Sequence, residues 1–109
     1  MYTVDLHLKG ETVTSAISNL YSSIKLAKKT KEKTLCLIVG QGSTGGTHKI
    51  KTAVLEELKT LKEKNQIKGY ILGNEIDIFN SNYQSLKGKE LIDKTLHGRM
   101  NAGQIVVIL

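Results

Sequence analysis

Two amphipathic helical segments, separated by short strand-like segments, constrain the fold of this chain more than any other feature. Apolar residues recur every three or four positions from Val13 to Ala27, the spacing of one helix face, and Thr12 is a suitable N-cap. A second stripe covers residues 50–61, with Asn65 as a suitable residue just after the helix. Between them, residues 35–39 are apolar without alternation, which is typical of a strand covered on both faces.

The order of these segments predicts an α/β fold. Further strands are expected over residues 2–8, 67–72 and 104–109, so strands and helices alternate along the first two thirds of the chain. Helices between successive strands imply parallel pairing, and helices with one apolar stripe pack on one sheet. We therefore expect a two-layer α/β sandwich with a mixed four-stranded sheet, formed by one domain over residues 1–109.

Residues 74–103 interrupt this pattern before the last strand. The segment has too many apolar residues for a disordered linker, and a structureless loop of that length is unusual in a compact domain. Its residues 89–96 favour a helix that buries Leu91, Ile92 and Leu96. The segment is expected to be a partly helical insertion.

Asp5 and His7 form the first candidate site. In the alternating strand 2–8, Val4 and Leu6 point to one face and Asp5 and His7 to the other. Residues two apart on a strand have Cα atoms about 6–7 Å apart. A carboxylate beside an imidazole can transfer protons near neutral pH. No cluster of Cys, His or Glu completes a metal shell with them, so no cofactor is required, and Mg²⁺ bridging Asp5 and a phosphate stays an alternative.

A glycine-rich loop over residues 40–47 follows the second strand. Ligands of open α/β sheets bind beyond the carboxyl ends of the parallel strands, where this loop and the Asp5–His7 pair are both expected. Glycine lets backbone N–H groups approach a phosphate, and the following helix adds a positive dipole. The loop lacks the Gly-Lys-Ser/Thr ending of a Walker A motif. The candidate phosphate-binding residues are Gly40, Gln41, Gly42, Ser43, Thr44, Gly46, Lys49, Lys51 and Arg99.

Charge and composition bound the class of partner. Sixteen Lys and Arg against ten Asp and Glu give a formal charge of +6, which favours polyanions, nucleic acid first and acidic membrane surfaces second. The lysines between residues 28 and 33 are interpreted as a solvated helix end. Cys36 lies alone in an apolar run, which indicates a core thiol and a reducing, cytoplasmic setting. No segment is long enough to span a membrane.

The combination of these motifs resembles the Smr (small MutS-related) domain. The resemblance is carried by the sequences at residues 4–7 and 37–42, by Gly46 before a lysine-bearing helix, and by the closing segment 102–109. It implies a fold similar to the C-terminal domain of translation initiation factor three. It also implies binding and endonucleolytic cleavage of DNA or RNA, including messenger RNA on stalled ribosomes in some branches.

The resemblance implies catalytic roles for Asp5 and His7, and His48 is a candidate to replace an imidazole of the family. Leu8 stands where the family has glycine, and Val39 and Gln41 stand where it has His and Lys. The leading hypothesis is an Smr-like endonuclease that slightly prefers RNA, whose 2′-hydroxyl is a natural nucleophile. The alternatives are a nucleic-acid-binding module without cleavage, and an interaction module that binds a ribosome or a repair assembly. The sequence does not specify the oligomeric state.

Overall fold

The computed structural model describes residues 1–6, 12–40, 47–77, 79–89, 91–92 and 100–109, with the backbone alone for Thr47 and His48. Within these residues there are four strands, three α-helices and one 3₁₀ turn over Gly73–Glu75. The strands and helices are β1 (Tyr2–Asp5), α1 (Val13–Lys29), β2 (Thr34–Ile38), α2 (Thr47–Glu63), β3 (Gly69–Leu72), α3 (Ser81–Gly88) and β4 (Gln104–Ile108). None of these helices is long and apolar enough to cross a membrane.

The four strands form one mixed sheet in the order β1-β2-β4-β3. β1 pairs with β2 in parallel, whereas β4 is antiparallel to both of its neighbours, β2 and β3. β1, β2 and β3 therefore run in the same direction and end at the same edge of the sheet. This architecture confirms the predicted α/β class with a mixed four-stranded sheet.

Local signals start α1 and end α2 where the sequence predicts. The Thr12 hydroxyl oxygen accepts a hydrogen bond from the Ser15 N–H at 3.1 Å, and the Ser15 hydroxyl oxygen accepts one from the Thr12 N–H at 2.9 Å, which completes a capping box. After α2, Asn65 adopts φ 58°, the left-handed conformation that asparagine tolerates, and the Gln66 N–H bonds back to the Leu61 carbonyl oxygen at 2.8 Å.

The main core lies between the sheet and the pair α1 and α2. Alternate residues of the strands point into it, so Leu35 and Leu37 of β2 face the same side as Ile105 and Val107 of β4. The helices contribute the predicted apolar stripes. The buried helix residues in this core are Ala16, Leu20, Ile24, Ile50, Val54, Leu58 and Leu61.

A smaller apolar cluster covers the opposite face of β3 and β4. Val106 and Ile108 alternate with the residues of the main core and therefore point to this second face, where Tyr83 and Leu86 of α3 pack against them. Asn80 caps α3 by accepting a hydrogen bond from the Tyr83 N–H at 2.9 Å. The segment between β3 and β4 thus adds a partial third layer to the sheet.

The helix in this segment lies earlier than the apolar pattern favoured. α3 ends at Gly88, and Leu91 and Ile92 are in non-helical backbone, although Ile92 is buried. The Leu91 N–H closes the helix end by bonding to the Leu86 carbonyl oxygen at 2.9 Å. The remainder of the expected helix, residues 93–96, lies outside the described residues.

Candidate functional site at the carboxyl rim

The carboxyl ends of the parallel strands and the start of β4 form one edge of the sheet, which we call the carboxyl rim (residues 5–6, 39–40, 72–75 and 101–104). Asp5 pairs in register with Ile38, and the Leu6 N–H donates to the Ile38 carbonyl oxygen at 2.8 Å. Gly40, where the glycine loop begins, follows Ile38 by two residues. Because neighbouring strands lie about 4.8 Å apart, Asp5 and the start of this loop are close neighbours on the rim.

Asp5 lies on the face of the sheet opposite the main core. Its neighbours in sequence, Val4 and Leu6, pack in or against that core, and Leu6 is fully buried. Asp5 is half-buried and points away from them. His7, the predicted partner of Asp5, lies outside the described residues, so the pairing of the two side chains stays a prediction.

Gly40 takes a conformation that favours glycine. Its φ is 76°, and both it and Val39 donate their N–H groups to the Gly103 carbonyl oxygen, at 3.2 Å and 2.8 Å. These two hydrogen bonds hold the start of the loop against the start of β4. The other loop candidates lie outside the described residues: Gln41, Gly42, Ser43, Thr44 and Gly46.

The predicted cations of α2 differ in exposure. Lys49 is exposed and lines a groove of about 300 Å³ between the start of α1 and the first half of α2, together with Val13 and Glu56. Lys51 is half-buried. His48 lies in the first turn of α2, but its side chain is not among those described, and Arg99 lies outside the described residues altogether.

A polar turn before β4 forms the other half of the rim, and sequence reasoning missed it. The Asn101 side-chain oxygen accepts a hydrogen bond from the Gly103 N–H at 2.8 Å, and the Asn101 N–H donates to the Gln104 side-chain oxygen at 3.0 Å. Gly73 packs so closely on this turn that a Cβ atom there would lie 2.4 Å from the Asn101 carbonyl oxygen. The Asn-Ala-Gly-Gln sequence is a turn signal that could have indicated this arrangement.

Phe79 is a second feature that sequence reasoning did not assign to the site. It is 90% exposed, the largest exposed fraction among the large apolar side chains of the described residues. Its N–H donates to the Asp77 carboxylate at 2.8 Å, and the side-chain amide of Asn82, three residues on, donates to the Tyr70 carbonyl oxygen at 3.2 Å. The second contact holds the start of α3 against β3, the strand at the opposite edge of the sheet from β1.

Cys36 is a core thiol, as expected, and not a nucleophile of the site. It is 2% exposed on β2, and burial raises its pKa, while a hydrogen bond with the Thr3 side chain acts in the opposite direction. Because thiolate is the reactive form, a raised pKa and burial both suppress reaction.

We therefore expect Cys36 to react with an aromatic disulfide reagent at pH 8 only through unfolding, roughly 1,000-fold or more slower than the urea-unfolded chain. The absorbance of the released thiolate measures this rate. Equal rates with and without urea would contradict the buried placement.

The described residues contain no group of three or more His, Cys, Asp or Glu side chains that could hold a metal ion. Asp5 is the one candidate metal-contacting residue from the sequence analysis that lies among them.

Sheet order, two helices on one face and a glycine-initiated loop at the carboxyl rim define an α/β domain with the Smr-type fold. The crystal structure of the Smr domain of Thermus thermophilus MutS2 is similar to this chain with a TM-score of 0.61 and 21% sequence identity, covering 100% of this chain and 98% of the other. The fold that the sequence resemblance implied is thus confirmed. No family model and no curated protein matches the sequence.

Proposed function

We propose that this domain binds nucleic acid at the carboxyl rim and cleaves phosphodiester bonds there, with RNA as the slightly preferred substrate. The observation that carries the proposal is the placement of Asp5 beside the start of the glycine loop on a domain of the Smr-type fold. A loop of glycines at this edge suits a phosphate, and the net charge of +6 favours a polyanion. The buried single thiol fits a cytoplasmic setting.

In the proposed reaction, His7 removes the proton from the 2′-hydroxyl of RNA. The 2′-oxygen then forms a bond to the adjacent phosphorus, and the bond from phosphorus to the 5′-oxygen breaks. The leaving 5′-oxygen takes a proton from an imidazolium, either His7 itself or His48, which leaves a 2′,3′-cyclic phosphate and a 5′-hydroxyl. Asp5 orients the His7 ring and stabilises its protonated form. In the alternative mechanism, Asp5 would hold Mg²⁺, which would supply the charge stabilisation.

End-labelled RNA tests this reaction. We expect the protein to cleave the strand in excess EDTA, to leave a cyclic phosphate, and to fail at a position carrying a single 2′-deoxynucleotide. Cleavage of all-DNA strands at the same rate would contradict the role of the 2′-hydroxyl. If EDTA abolishes cleavage and added Mg²⁺ restores it, the metal-free mechanism is contradicted and the Mg²⁺-assisted mechanism is supported.

Lys49 and Lys51 are proposed to contact phosphates, together with Arg99. Changing both lysines to Gln should weaken binding of a short RNA strand and lower the slope of log K against log salt concentration by up to about 1.4, because each single-strand contact contributes about 0.7. Fluorescence anisotropy at several salt concentrations measures this. Ser18→Gln with Ser85→Gln, exposed positions of α1 and α3, provides the control, and an unchanged slope in the lysine variant would remove Lys49 and Lys51 from the interface.

Binding without cleavage is the second candidate function. Val39 and Gln41 occupy positions where the family that the sequence resembles has an imidazole and a cation, and Val39 is fully buried in the main core. If the protein binds RNA in a salt-dependent way but leaves the end-labelled RNA uncleaved, this function is favoured over the nuclease activity.

An interaction module for a ribosome or repair assembly is the third candidate. Exposed Phe79 is the feature that favours it. Deleting residues 80–100 would also remove Tyr83 and Leu86 from the second cluster, so the appropriate probe is Phe79→Ser. Loss of a protein partner in this variant, with RNA cleavage retained, would support that role.

A further inference from the structure

Most of the positive charge of this protein lies at the end of the molecule opposite the carboxyl rim. Residues 25–33 and 59–68, which we call the basic pole, contain nine lysines and two glutamates, a net charge of +7 compared with +6 for the whole chain. All nine lysines are exposed. They are Lys25, Lys28, Lys29, Lys31, Lys33, Lys59, Lys62, Lys64 and Lys68.

The two segments of the basic pole are in contact. The Lys28 side chain donates a hydrogen bond to the Gln66 carbonyl oxygen, which joins the end of α1 to the residues after α2. Lys25, Lys28 and Lys64 line one groove, of about 590 Å³, between the two helix ends. Lys33 and Lys68 line a second groove, of about 320 Å³, next to the end of β4. Glu32 also lines the second groove, so each groove combines two or more lysines with other side chains.

The basic pole is separated from the carboxyl rim by the length of the sheet. The Lys68 N–H bonds to the Ile108 carbonyl oxygen, at the end of β4, whereas the Gly40 N–H bonds to Gly103, just before β4 starts. The five residues of β4 span roughly 15 Å. The described charged residues of the rim and of the adjoining start of α2 include Lys49 and Lys51 but also Asp5 and Glu75.

A surface with this charge is costly for the folded protein by itself. Like charges packed at one end repel one another, and a polyanion would remove that repulsion. Among the described residues, Glu32 pairs with the Met1 amine, and no lysine of the basic pole forms an ion pair. The interpretation of residues 28–33 as a merely solvated helix end covers one segment, whereas the structure adds the second segment beside it.

We propose that the basic pole binds the phosphate backbone of a folded nucleic acid. This surface is separate from the carboxyl rim, where the proposed function places the RNA strand that is cleaved. The proposal rests on the proposed function for the nature of the polyanion. A folded RNA is the partner that the grooves favour, because phosphates on two neighbouring backbone segments can lie along concave, lysine-lined surfaces. The domain would then bind a large folded RNA with the basic pole and cleave a single-stranded RNA segment at the carboxyl rim.

The test compares two variants of the full chain. Lys28, Lys31, Lys62 and Lys64 are all changed to Gln in one variant and to Arg in the other, which keeps the charge; circular dichroism confirms folding of both. The probes are bulk transfer RNA, as a folded RNA, and an eight-nucleotide single strand. We expect the Gln variant to bind transfer RNA at least about tenfold more weakly, with a salt slope lower by up to about 3, and the Arg variant to bind like the wild type.

Cleavage separates this proposal from the proposed function. The Gln variant should cleave the eight-nucleotide strand at the wild-type rate under saturating protein, because the rim is intact. Unchanged affinity and salt slope for transfer RNA would overturn the basic pole as an RNA surface while leaving rim cleavage in place. If transfer RNA binding depends on these lysines but no RNA is cleaved, the proposal for the basic pole is supported and the proposed nuclease activity is contradicted. Binding to anionic phospholipid vesicles in preference to transfer RNA would also overturn it.

Discussion

His7→Ala should reduce the rate of RNA cleavage by about 10²- to 10⁴-fold, because general acid–base catalysis by one positioned side chain is worth that much. The loss should appear in the single-turnover rate at saturating protein, with little change in the affinity for the strand. Asp5→Asn should also slow cleavage, since the neutral amide keeps the shape of the carboxylate but does not stabilise a protonated imidazole. Gel electrophoresis of end-labelled RNA measures both rates.

Matched variants make this result interpretable. His97→Ala removes a histidine that is not assigned to the site and should leave cleavage unchanged, whereas His48→Ala separates the two candidate imidazoles. If His48→Ala is the slower variant, the proton donor and acceptor roles must be reassigned. Cleavage that survives both His7→Ala and Asp5→Asn would end the proposed mechanism at this rim.

Tyr83→Ala should lower the free energy of unfolding by about 3–5 kcal/mol, the range for removing a large buried aromatic side chain. Tyr83 is 2% exposed in the second cluster, where it packs with residues of β3 and β4. Since domains of this size are stable by only about 5–15 kcal/mol, this loss is a large share of the stability, and the midpoint urea concentration should fall clearly. Urea denaturation followed by circular dichroism measures the change.

The controls for Tyr83→Ala distinguish packing from polar contacts. Tyr83→Phe keeps the ring and should cost far less than Ala, and Ser85→Ala, at an exposed position of the same helix, should cost less than about 0.5 kcal/mol. A loss below about 1 kcal/mol for Tyr83→Ala would show that α3 contributes little to the stability of the sheet. The segment before β4 would then pack on the sheet without being needed for its stability.

Local signals were sufficient to predict most of the fold. The capping residue Thr12, the apolar stripes of α1 and α2, and Asn65 after α2 all act over a few residues, and each is visible in the sequence. The position of α3 was not predictable in the same way. Its buried face has only Tyr83 and Leu86 over eight residues, too few to give a helical period, so the denser apolar residues further along the chain dominated the pattern.

The site was predictable where it depends on the ends of two parallel strands, because such ends lie at the same edge of a sheet. The parallel pairing of β1 and β2 places Asp5 near Gly40, and strand order alone suggested this. The turn at Asn101 and the exposed ring of Phe79 depend on how the segment after β3 returns to the sheet, which no local pattern specifies. The basic pole was missed for a similar reason, since its two segments are 26 residues apart in the chain and meet only when α1 packs on α2.

The position of β4 has a consequence for how the chain is made. This strand is the last in sequence but lies in the interior of the sheet, hydrogen-bonded to β2 on one side and to β3 on the other. During synthesis, the backbone N–H and C=O groups of β2 and β3 that pair with β4 have no partner in the sheet until residues 104–108 have left the ribosome. Open edges of that kind recruit other extended chains, so the nascent protein passes through its most aggregation-prone stage just before this strand is inserted.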